Sequence, residues 1–565
     1  MRPHLSLRTL LFAMPIPRPL AALLLAAGLP ACAVGQAPAA SAPPASPLHL
    51  LRPEDFHPYI VQFAGDEREA TGKAPDTDPW PWLQANIPFF ASSNQQFEEM
   101  YYFRWYAWQK HVVQSSRGTL ITEWLPKPAE PDGFFGALPD AAPFHLGEAR
   151  WLRNPHIAED YARFWISRGA DPRKYSFPLA DSVRNVVLAT GNTRLGAEML
   201  AGLIDNDKAW DDHLDRSTGL YWQIDTRDGM EKSIGGDGYR PTLNSYMVAD
   251  ARAIAAFATA AGQPALAAHY TAKAQMLQHL IDTKLWNPRD QFYEALSPAP
   301  DSGILTQKRF LDPGTRLQFS GVRELIGYLP WAFYQPSTDR VIAWRQLFDP
   351  HGFAGKYGPT TAERSSPRFR FASTDQCTWN GPSWPFATTQ TLLALANLLN
   401  GPAQPDITAA QYYALFSNYV LSQHIQLPTG RTIDWIDEDL DADTDEWIAK
   451  DMLLAKRKQV GRGNYYNHSG FADLLITGLI GLRPRTDNTV ALHPLLPAGQ
   501  WTYFALDGLP YHGHLLTIVY DVTGRQYHQG RGLTLFADGK KLAHRTTLGP
   551  LQAELPSLQT KEPAP

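Results

Sequence analysis

Two glutamates in polar loops are the residues of this chain best suited to chemistry. Glu231 lies in DGMEKSIGG (residues 228–236), and Glu438 lies in WIDEDLDADTDEW (residues 435–447). The Trp-rich segment CTWNGPSWPF (residues 377–386) separates them along the chain. A pair of carboxyl groups suits hydrolysis of a sugar bond, because one can protonate the leaving oxygen while the other activates water. We therefore interpret these two glutamates as a candidate acid and base.

The Trp-rich segment offers two rigid aromatic faces. Trp379 and Trp384 flank Asn380, Gly381 and Pro382, so their backbone is constrained. Aromatic rings of this kind can stack on the apolar face of a sugar, or they can fill a gap between helices as part of the core. The sequence leaves both interpretations open for each tryptophan.

A fourth polar segment, RGNYYNHSGF (residues 462–471), precedes the last predicted helix. Its Tyr466 and His468 could bind sugar hydroxyls, but polysaccharide lyases also rely on Tyr and His, so lyase chemistry stays open. The chain has no zinc-binding HExxH string and no G-x-S-x-G nucleophile motif. These motif absences argue against a zinc hydrolase and a serine hydrolase.

The acidic segment around Glu438 does not match a calcium-binding EF-hand. Counting from Asp437, the required glycine and final glutamate would be Ala442 and Ile448. A structural calcium held in another geometry stays open. We predict that the protein needs no metal and no cofactor.

Composition limits the class of protein. The chain has 565 residues, is 44% hydrophobic and 19% charged, and carries a net charge of −5, so it is globular. It contains no long basic block, and we expect no nucleic-acid partner. The 17 Trp suit a core, and also a sugar site.

The beginning of the chain has the pattern of an export signal. Arginines precede an apolar run at residues 20–29, and small residues follow, which predicts a signal peptide over residues 1–33. An Ala/Pro-rich linker, residues 34–48, comes next. The segment LPAC, ending at Cys32, loosely resembles a lipoprotein box, so a lipid anchor at Cys32 is the one membrane attachment left open. We expect a periplasmic, outer-membrane or secreted bacterial protein. The other cysteine, Cys377, we interpret as a small buried residue.

Helical periodicity dominates the chain from about residue 90 to 483. Apolar residues at three- and four-residue spacing predict a helix over 245–261, a stop at Gly262 and a second helix from Pro264. Further helices are predicted at 157–167, 182–203, 389–400, 409–423 and 469–480. Repeated helical hairpins with long loops are typical of an (α/α)6 toroid, which we predict for residues 49–486.

Strand signals replace helical ones after Pro484. Short β-branched or aromatic runs at 517–520 and 533–537 are followed by Asp538-Gly539, a hairpin turn signal. We predict a small β-sandwich over residues 487–565. The predicted fold class is therefore mainly α, a toroid with a small C-terminal β-sandwich.

Taken together, these segments resemble the clan of inverting (α/α)6 glycosidases that includes trehalase, glycoside hydrolase family 63 and mannosylglycerate hydrolase. DGMEKS is similar to the clan's SGWDxS acid string, with Glu231 at the acid position, and EDLDADTDEW is similar to its ENYxPxTG base string, with Glu438 at the base position. The W-x-G-P-x-W-P string of the clan occurs at residues 379–385, and its N-H/Y-S string occurs at 467–469. The acid position holds Glu where the clan has Asp, so the substrate is not carried over.

The resemblance implies an exported inverting exo-glycosidase acting on an oligosaccharide or glycoside, in which Glu231 protonates the glycosidic oxygen and Glu438 activates water. The residues expected to bind the sugar or tune the acid are Asp228, Trp151, Trp379, Asn380, Trp384, Tyr466 and His468. Two alternatives stay open: a polysaccharide lyase on a similar toroid, and a non-catalytic glycan-binding lipoprotein.

Overall fold

Six helices form a closed ring that holds the candidate residues at its loops. The computed structural model describes residues 50–125, 136–298, 316–370, 378–448 and 465–558. The described α-helices are α1 (His57–Thr71), α2 (Trp80–Asn86), α3 (Gln95–Gln109), α4 (Ala142–Ala149), α5 (His156–Trp165), α6 (Leu179–Thr190), α7 (Thr193–Ala209), α8 (Pro241–Ala260), α9 (Pro264–Leu280), α10 (Leu329–Phe333), α11 (Pro385–Leu399), α12 (Ala409–Ser422) and α13 (Ala472–Leu474), the last continued by a wider turn, Leu475–Leu479.

The ring is formed by α4, α6, α8, α10, α11 and α13. Each of these helices packs against the next, and α13 packs against α4 to close the circle. Helices α8 and α11 bury side chains on every face, as expected for helices surrounded by others. Helix α9 pairs with α8 but buries only Tyr270, Ala274 and Leu277, so it lies outside the ring. The predicted helical toroid is therefore present.

Most predicted helices occur within a few residues of their expected bounds. Pro264 begins α9 as expected, because its ring cannot donate the hydrogen bond that a first helical residue does not need. The predicted helix over 182–203 is wrong as one element, since α6 ends at Gly191 and α7 begins at Thr193. Gly191 adopts φ +73°, and its N–H donates to the Val187 carbonyl, 2.9 Å away, which terminates α6.

Strands are short in the helical part and long near the end of the chain. The described strands are β1 (Phe89–Ser92), β2 (Val112–Ser115), β3 (Gly118–Ile121), β4 (Leu214–Asp215), β5 (Leu220–Tyr221), β6 (Trp286–Asn287), β7 (Phe292–Tyr293), β8 (Leu296–Pro298), β9 (Leu317–Phe319), β10 (His424–Gln426), β11 (Thr432–Asp434), β12 (Thr489–Leu492), β13 (Tyr503–Tyr511), β14 (His514–Asp521), β15 (Gly532–Ala537), β16 (Lys540–Arg545) and β17 (Leu551–Glu554).

The C-terminal strands form one antiparallel sheet in the order β1-β13-β14-β15-β16, with β12 and β17 as a separate pair. The predicted turn at Asp538-Gly539 joins β15 to β16, where Ala537 pairs with Lys540. The first strand of this sheet comes from the other end of the chain: Phe89 pairs with Asp507. The sheet is therefore not built from C-terminal residues alone.

Several predictions concern residues outside the described ranges: the signal peptide and linker, Cys32, Cys377, and residues 462–464. Within the described ranges, no helix is both long enough and apolar enough to span a membrane.

Candidate active site

Both candidate glutamates line one pocket of about 280 Å³. Its walls come from loops that precede inner-ring helices, so distant segments of the chain meet there. The lining residues are Glu123, Trp124, Leu138, Asp140, Lys174, Tyr175, Gly229, Glu231, Trp379, Trp384, Phe386, Glu438, Tyr466 and His468. Six of the nine residues singled out from the sequence are among them.

A buried arginine shapes the loop that carries Glu231. The loop follows a short 3₁₀ turn that ends at Gly229, where φ is +74°. Arg240, just before α8, donates from Nε to Asp228 Oδ2 (2.7 Å) and from Nη1 to Ser233 Oγ (3.2 Å). Both members of the Arg240–Asp228 ion pair are fully buried. The loop is thereby held against the N-terminus of α8.

A second buried residue, Glu324, also holds this loop in place. Glu324 Oε1 accepts hydrogen bonds from the N–H groups of Ile234 (2.9 Å) and Gly235 (3.1 Å). A Cβ at Gly235 would lie 2.5 Å from the other Glu324 oxygen, so a larger residue there would displace this carboxylate. Arg240 thus binds Asp228 and Ser233, and Glu324 binds the N–H groups of Ile234 and Gly235. Together these contacts fix the loop on both sides of Glu231.

Replacing Arg240 should therefore destabilise the fold. Arg240→Met would leave Asp228 as an uncompensated buried charge, which costs about 3–5 kcal/mol. Thermal or urea unfolding monitored by tryptophan fluorescence measures the change. The matched control is Arg289→Met, because Arg289 belongs to an exposed ion pair with Asp290 and its loss should be barely measurable. Equal stability of the two variants would contradict this account.

Backbone hydrogen bonds tie the site loops together. The Trp379 N–H donates to the Glu231 carbonyl at 3.1 Å, which joins the Trp-rich segment to the acid loop. Ser383 and Leu440 exchange two hydrogen bonds of 2.9 Å, which joins the same segment to the acidic loop. The Tyr466 N–H then reaches the Ile436 carbonyl at 3.4 Å. The four segments that the sequence separates therefore form one connected wall.

Glu438 is buried, with 2% of its surface exposed. Its backbone N–H donates to Asp437 Oδ1 at 2.7 Å, which turns the chain locally. Farther along the acidic segment, Asp441 pairs with Arg370 (2.6 Å) and Asp443 pairs with Arg364 (2.7 Å). In the parts of the chain that the structure describes, no group of three or more His, Cys, Asp or Glu side chains could hold a metal ion.

The pocket changes the proton affinity of Glu231. Burial raises the pKa of this carboxyl from its usual value to about 8, and the negative charges of Asp140, Asp225 and Glu438 add to the effect. Burial also raises the pKa of Asp140, to about 6. Glu231 is therefore protonated at neutral pH, the state that a proton donor needs.

His468 and Tyr466 line the pocket side by side, with ring centres 4.7 Å apart. Burial lowers the pKa of His468 to about 3, so its imidazole is neutral. The neighbouring Asn467 does not line the pocket, because its side-chain oxygen accepts a hydrogen bond from Arg104 Nη2 at 2.9 Å. Arg104 in turn pairs with the buried Glu148 at 2.5 Å, which anchors this segment.

The two tryptophans of the Trp-rich segment stack on each other. Their ring centres lie 4.3 Å apart at an angle of 16°, and Trp379 also meets the edge of Phe386 at 5.6 Å. Both rings line the pocket, and both are almost fully buried. They therefore belong to the core and to the pocket wall at once.

Trp379→Ala should show both roles. We expect substrate or inhibitor binding to weaken by roughly 1–3 kcal/mol through lost contact area. Removing a buried Trp should also lower the free energy of unfolding by about 3–5 kcal/mol, with soluble protein retained. Calorimetric binding and thermal unfolding measure the two effects separately. Unchanged binding in a destabilised but folded variant would leave only the core role.

Three sequence candidates do not line the pocket. The Asp228 side chain forms the buried ion pair with Arg240 described above. The Trp151 indole N–H donates to Asp473 at 2.7 Å, and the Trp151 side chain is fully buried. Asn380 is 1% exposed, and its carbonyl accepts the Arg370 N–H at 2.7 Å. The side chains of Asp228 and Trp151 therefore contact neighbouring elements, and Asn380 lies outside the pocket lining.

Sequence reasoning did not single out six polar or aromatic lining residues: Glu123, Trp124, Asp140, Lys174, Tyr175 and Phe386. A usable signal exists for some of them. Asp140 stands just before α4, as Trp384 and His468 stand before their own inner helices. Polar or aromatic residues directly ahead of each predicted inner helix could have been collected as one set.

Two family models match the chain. The model of the mannosylglycerate hydrolase MGH1-like glycoside hydrolase domain matches residues 135–469. That of the glycosyl hydrolase family 65 C-terminal domain matches residues 482–544.

Solved structures also match. One described as a sialidase is 36% identical with a TM-score of 0.79, and the match covers 89% of this chain but only 45% of that one. A family 63 mannosylglycerate hydrolase from Thermus thermophilus, solved in complex with glucose, is 14% identical over 66% of this chain and 98% of its own, with a TM-score of 0.46.

Proposed function

Because the chain belongs to the mannosylglycerate hydrolase MGH1-like glycoside hydrolase family, we propose that it hydrolyses a terminal glycosidic bond with inversion of the anomeric configuration. One observation carries the proposal: Glu231 and Glu438 line the same small pocket, where burial raises the pKa of Glu231 to about 8. The substrate class is an oligosaccharide or a small glycoside. The sialidase-like relative is about twice as long as the matched region, and its activity is not transferred.

In the proposed reaction, Glu231 gives its proton to the glycosidic oxygen as the bond to the anomeric carbon breaks. Glu438 takes a proton from a water molecule, and the water oxygen attacks the anomeric carbon from the opposite face. The products are the free sugar with inverted configuration and the protonated leaving group. Exchange with solvent then returns a proton to Glu231 and removes the proton from Glu438. An inverting enzyme needs about 6.5–9.5 Å between its carboxyl groups to admit that water, and this separation stays a prediction.

The size of the pocket supports attack at the end of a chain. A volume of about 280 Å³ lies just below the usual range of small-molecule sites, about 300–1,000 Å³. The described pocket wall joins four segments of the chain. An exo-acting enzyme, which holds one terminal sugar, needs this kind of space.

The configuration of the first product tests the proposal. Proton NMR during the first minutes of hydrolysis of an aryl glycoside should detect the anomer opposite to that of the substrate, before mutarotation mixes the two forms. Release of the same anomer would overturn the inverting assignment. An unsaturated product that absorbs in the ultraviolet would instead indicate a lyase.

The raised pKa of Glu231 predicts a basic limit to activity. The group must be protonated to act, so kcat/KM should fall as pH rises through about 8. A pH profile measured on an unactivated glycoside should show this limb. The limb should be weaker on an activated aryl glycoside, whose leaving group needs less protonation. Full activity on both substrates well above pH 9 would contradict the assignment of the acid.

We also propose that the protein is exported and that its C-terminal strands form a small supporting β-sandwich. Export rests on the charged and apolar pattern of residues 1–33. The supporting role rests on the pairing of β1 with β13, which ties the sheet to the helical part of the chain. Fractionation of cells expressing the full chain tests the first proposal.

A further inference from the structure

A second cavity, three times the size of the catalytic pocket, lies within the same ring. It measures about 840 Å³ and is lined mostly by the middle and C-terminal parts of the inner helices, whereas the catalytic pocket lies before their N-termini. Phe144 lines the large cavity, Phe386 lines the catalytic pocket, and the two rings meet edge to face at 4.9 Å. This aromatic contact therefore lies between the two spaces, and the proposed hydrolysis uses only the catalytic pocket.

The large cavity is rich in positive charge. Four arginines line it against two aspartates, which leaves two positive charges in excess. The six residues are Arg150, Arg184, Arg252, Arg483, Asp181 and Asp473. Within the described ranges, only Arg150 of the four is neutralised by a close ion pair, at 2.6 Å from Asp473.

The other three arginines make no close ion pair among the described residues, although the charge of Asp181 acts on both Arg184 and Arg252. Arg483 Nη2 donates to the Asn397 side-chain oxygen at 2.6 Å, and Arg252 Nη1 donates to the Phe333 carbonyl at 2.5 Å. The Nε of Arg184 is buried and has no hydrogen-bond partner among the described residues. A buried donor without a partner costs free energy, which a ligand acceptor would recover.

The arginines also repel one another. Burial lowers the pKa of Arg483 and the charge of Arg150 adds to this effect, whereas Tyr412 and Asp473 oppose it. Burial lowers the pKa of Arg252; the charge of Asp181 opposes this effect and the neighbouring charge of Arg184 adds to it. Like charges gathered in a partly buried space favour the entry of an anion.

The remaining walls suit hydroxyl groups. Asn185, Gln275 and Gln335 line the cavity, and side-chain amides both donate to and accept from hydroxyls. Asn185 also donates to Asp181 and Gln335 to the Asn397 carbonyl. The volume lies within the range of small-molecule sites and exceeds what a single inorganic ion fills. The chemistry therefore matches a molecule that combines an anionic group with several hydroxyls.

We infer that this arginine-lined cavity binds a small sugar carrying a carboxylate or phosphate group, at a site separate from the catalytic pocket. The inference does not depend on the proposed hydrolysis, because binding can be measured without turnover. The alternative is that the space holds only solvent. A solvent-filled space would have no preference for anionic sugars over neutral ones.

Isothermal titration calorimetry on the full-length protein tests the inference with four probes: glucuronate, glucose 6-phosphate, inorganic phosphate and glucose. Glucuronate or glucose 6-phosphate should bind at least about tenfold more tightly than glucose and than phosphate. Arg184→Met should weaken that binding by about tenfold or more, since a charge-assisted hydrogen bond is lost. Arg194→Met, which removes an exposed charge on α7, is the matched control and should bind as the unmodified protein does.

The outcomes separate the possibilities. Arg184 makes no hydrogen bond among the described residues that its replacement would break, although its charge acts on the buried Asp181, so Arg184→Met should remain folded and its unfolding temperature is recorded beside its binding. If it does not, Arg252→Met carries the same test.

Binding lost in Trp379→Ala but kept in Arg184→Met would locate the probe in the catalytic pocket and overturn the inference. Equal binding of all probes, phosphate binding as tight as the sugar anions, or no binding would overturn it too. Loss of hydrolysis in Glu231→Gln with binding intact would leave the inference standing independently of the proposed function.

Discussion

Glu438→Gln is expected to reduce kcat by about 10²–10⁴-fold on every glycoside, whatever its leaving group. Glutamine keeps the size of the side chain but cannot accept a proton from water. Because every substrate needs the same attacking water, activation of the leaving group should not restore the rate. Steady-state kinetics on an aryl glycoside and on an unactivated glycoside measure the effect.

A matched control is available in the same acidic segment. Glu446 is exposed and lies eight residues after Glu438. Glu446→Gln removes the same charge by the same chemical change and should leave kcat within about twofold of the unmodified protein, since surface substitutions of this kind have small effects. If added azide partly restored Glu438→Gln and gave a glycosyl azide of inverted configuration, an anion would have replaced the activated water. Comparable activity of the two variants would remove Glu438 from the mechanism.

Glu231→Gln is expected to show a loss that depends on the leaving group. On an unactivated glycoside the rate should fall by about 10²–10⁴-fold, because no group then donates a proton to the departing oxygen. On a dinitrophenyl glycoside the loss should be much smaller, because that leaving group departs as a stable anion. The basic limb of the pH profile near pH 8 should vanish on both substrates, since the titrating group is gone.

The slope of rate against leaving-group acidity gives the decisive comparison for this residue. A steeper slope in Glu231→Gln than in the unmodified protein is expected, and Glu446→Gln should keep the original slope. An equal loss on all leaving groups would assign Glu231 to a role other than proton donation. A basic limb that persists in the variant would assign the titration to another group, and Asp140 would be the first to examine.

Local features of the sequence determined much of the fold, because they act over a few residues. Pro264 begins α9, and the Asp538-Gly539 turn joins β15 to β16, as predicted. Hydrophobic periodicity identified the helical toroid, because a helix that packs on several sides must be apolar on several sides. The order of four short motifs identified the glycosidase family, and the match over residues 135–469 confirms it.

Long-range packing decided the rest. The strand Phe89–Ser92 pairs with a strand about four hundred residues later, and no local pattern specifies such a partner. Asp228 and Asn380 belong to the recognised motifs, and Trp151 lies outside them. In the fold, the Asp228 side chain pairs with Arg240, the Trp151 side chain donates to Asp473, and Asn380 is almost fully buried. Their direction depends on which neighbour each side chain meets.

The same holds for the chemistry of the pocket. The sequence identified Glu231 and Glu438 as carboxyl groups in suitable loops, but a side chain's type does not set its proton affinity. The tertiary structure buries Glu231 beside other carboxylates and so raises its pKa to about 8. It also brings in Asp140 and Lys174 from segments without a recognisable motif. Burial and proximity are properties of the folded chain, and they are what turn two glutamates into a candidate acid and base.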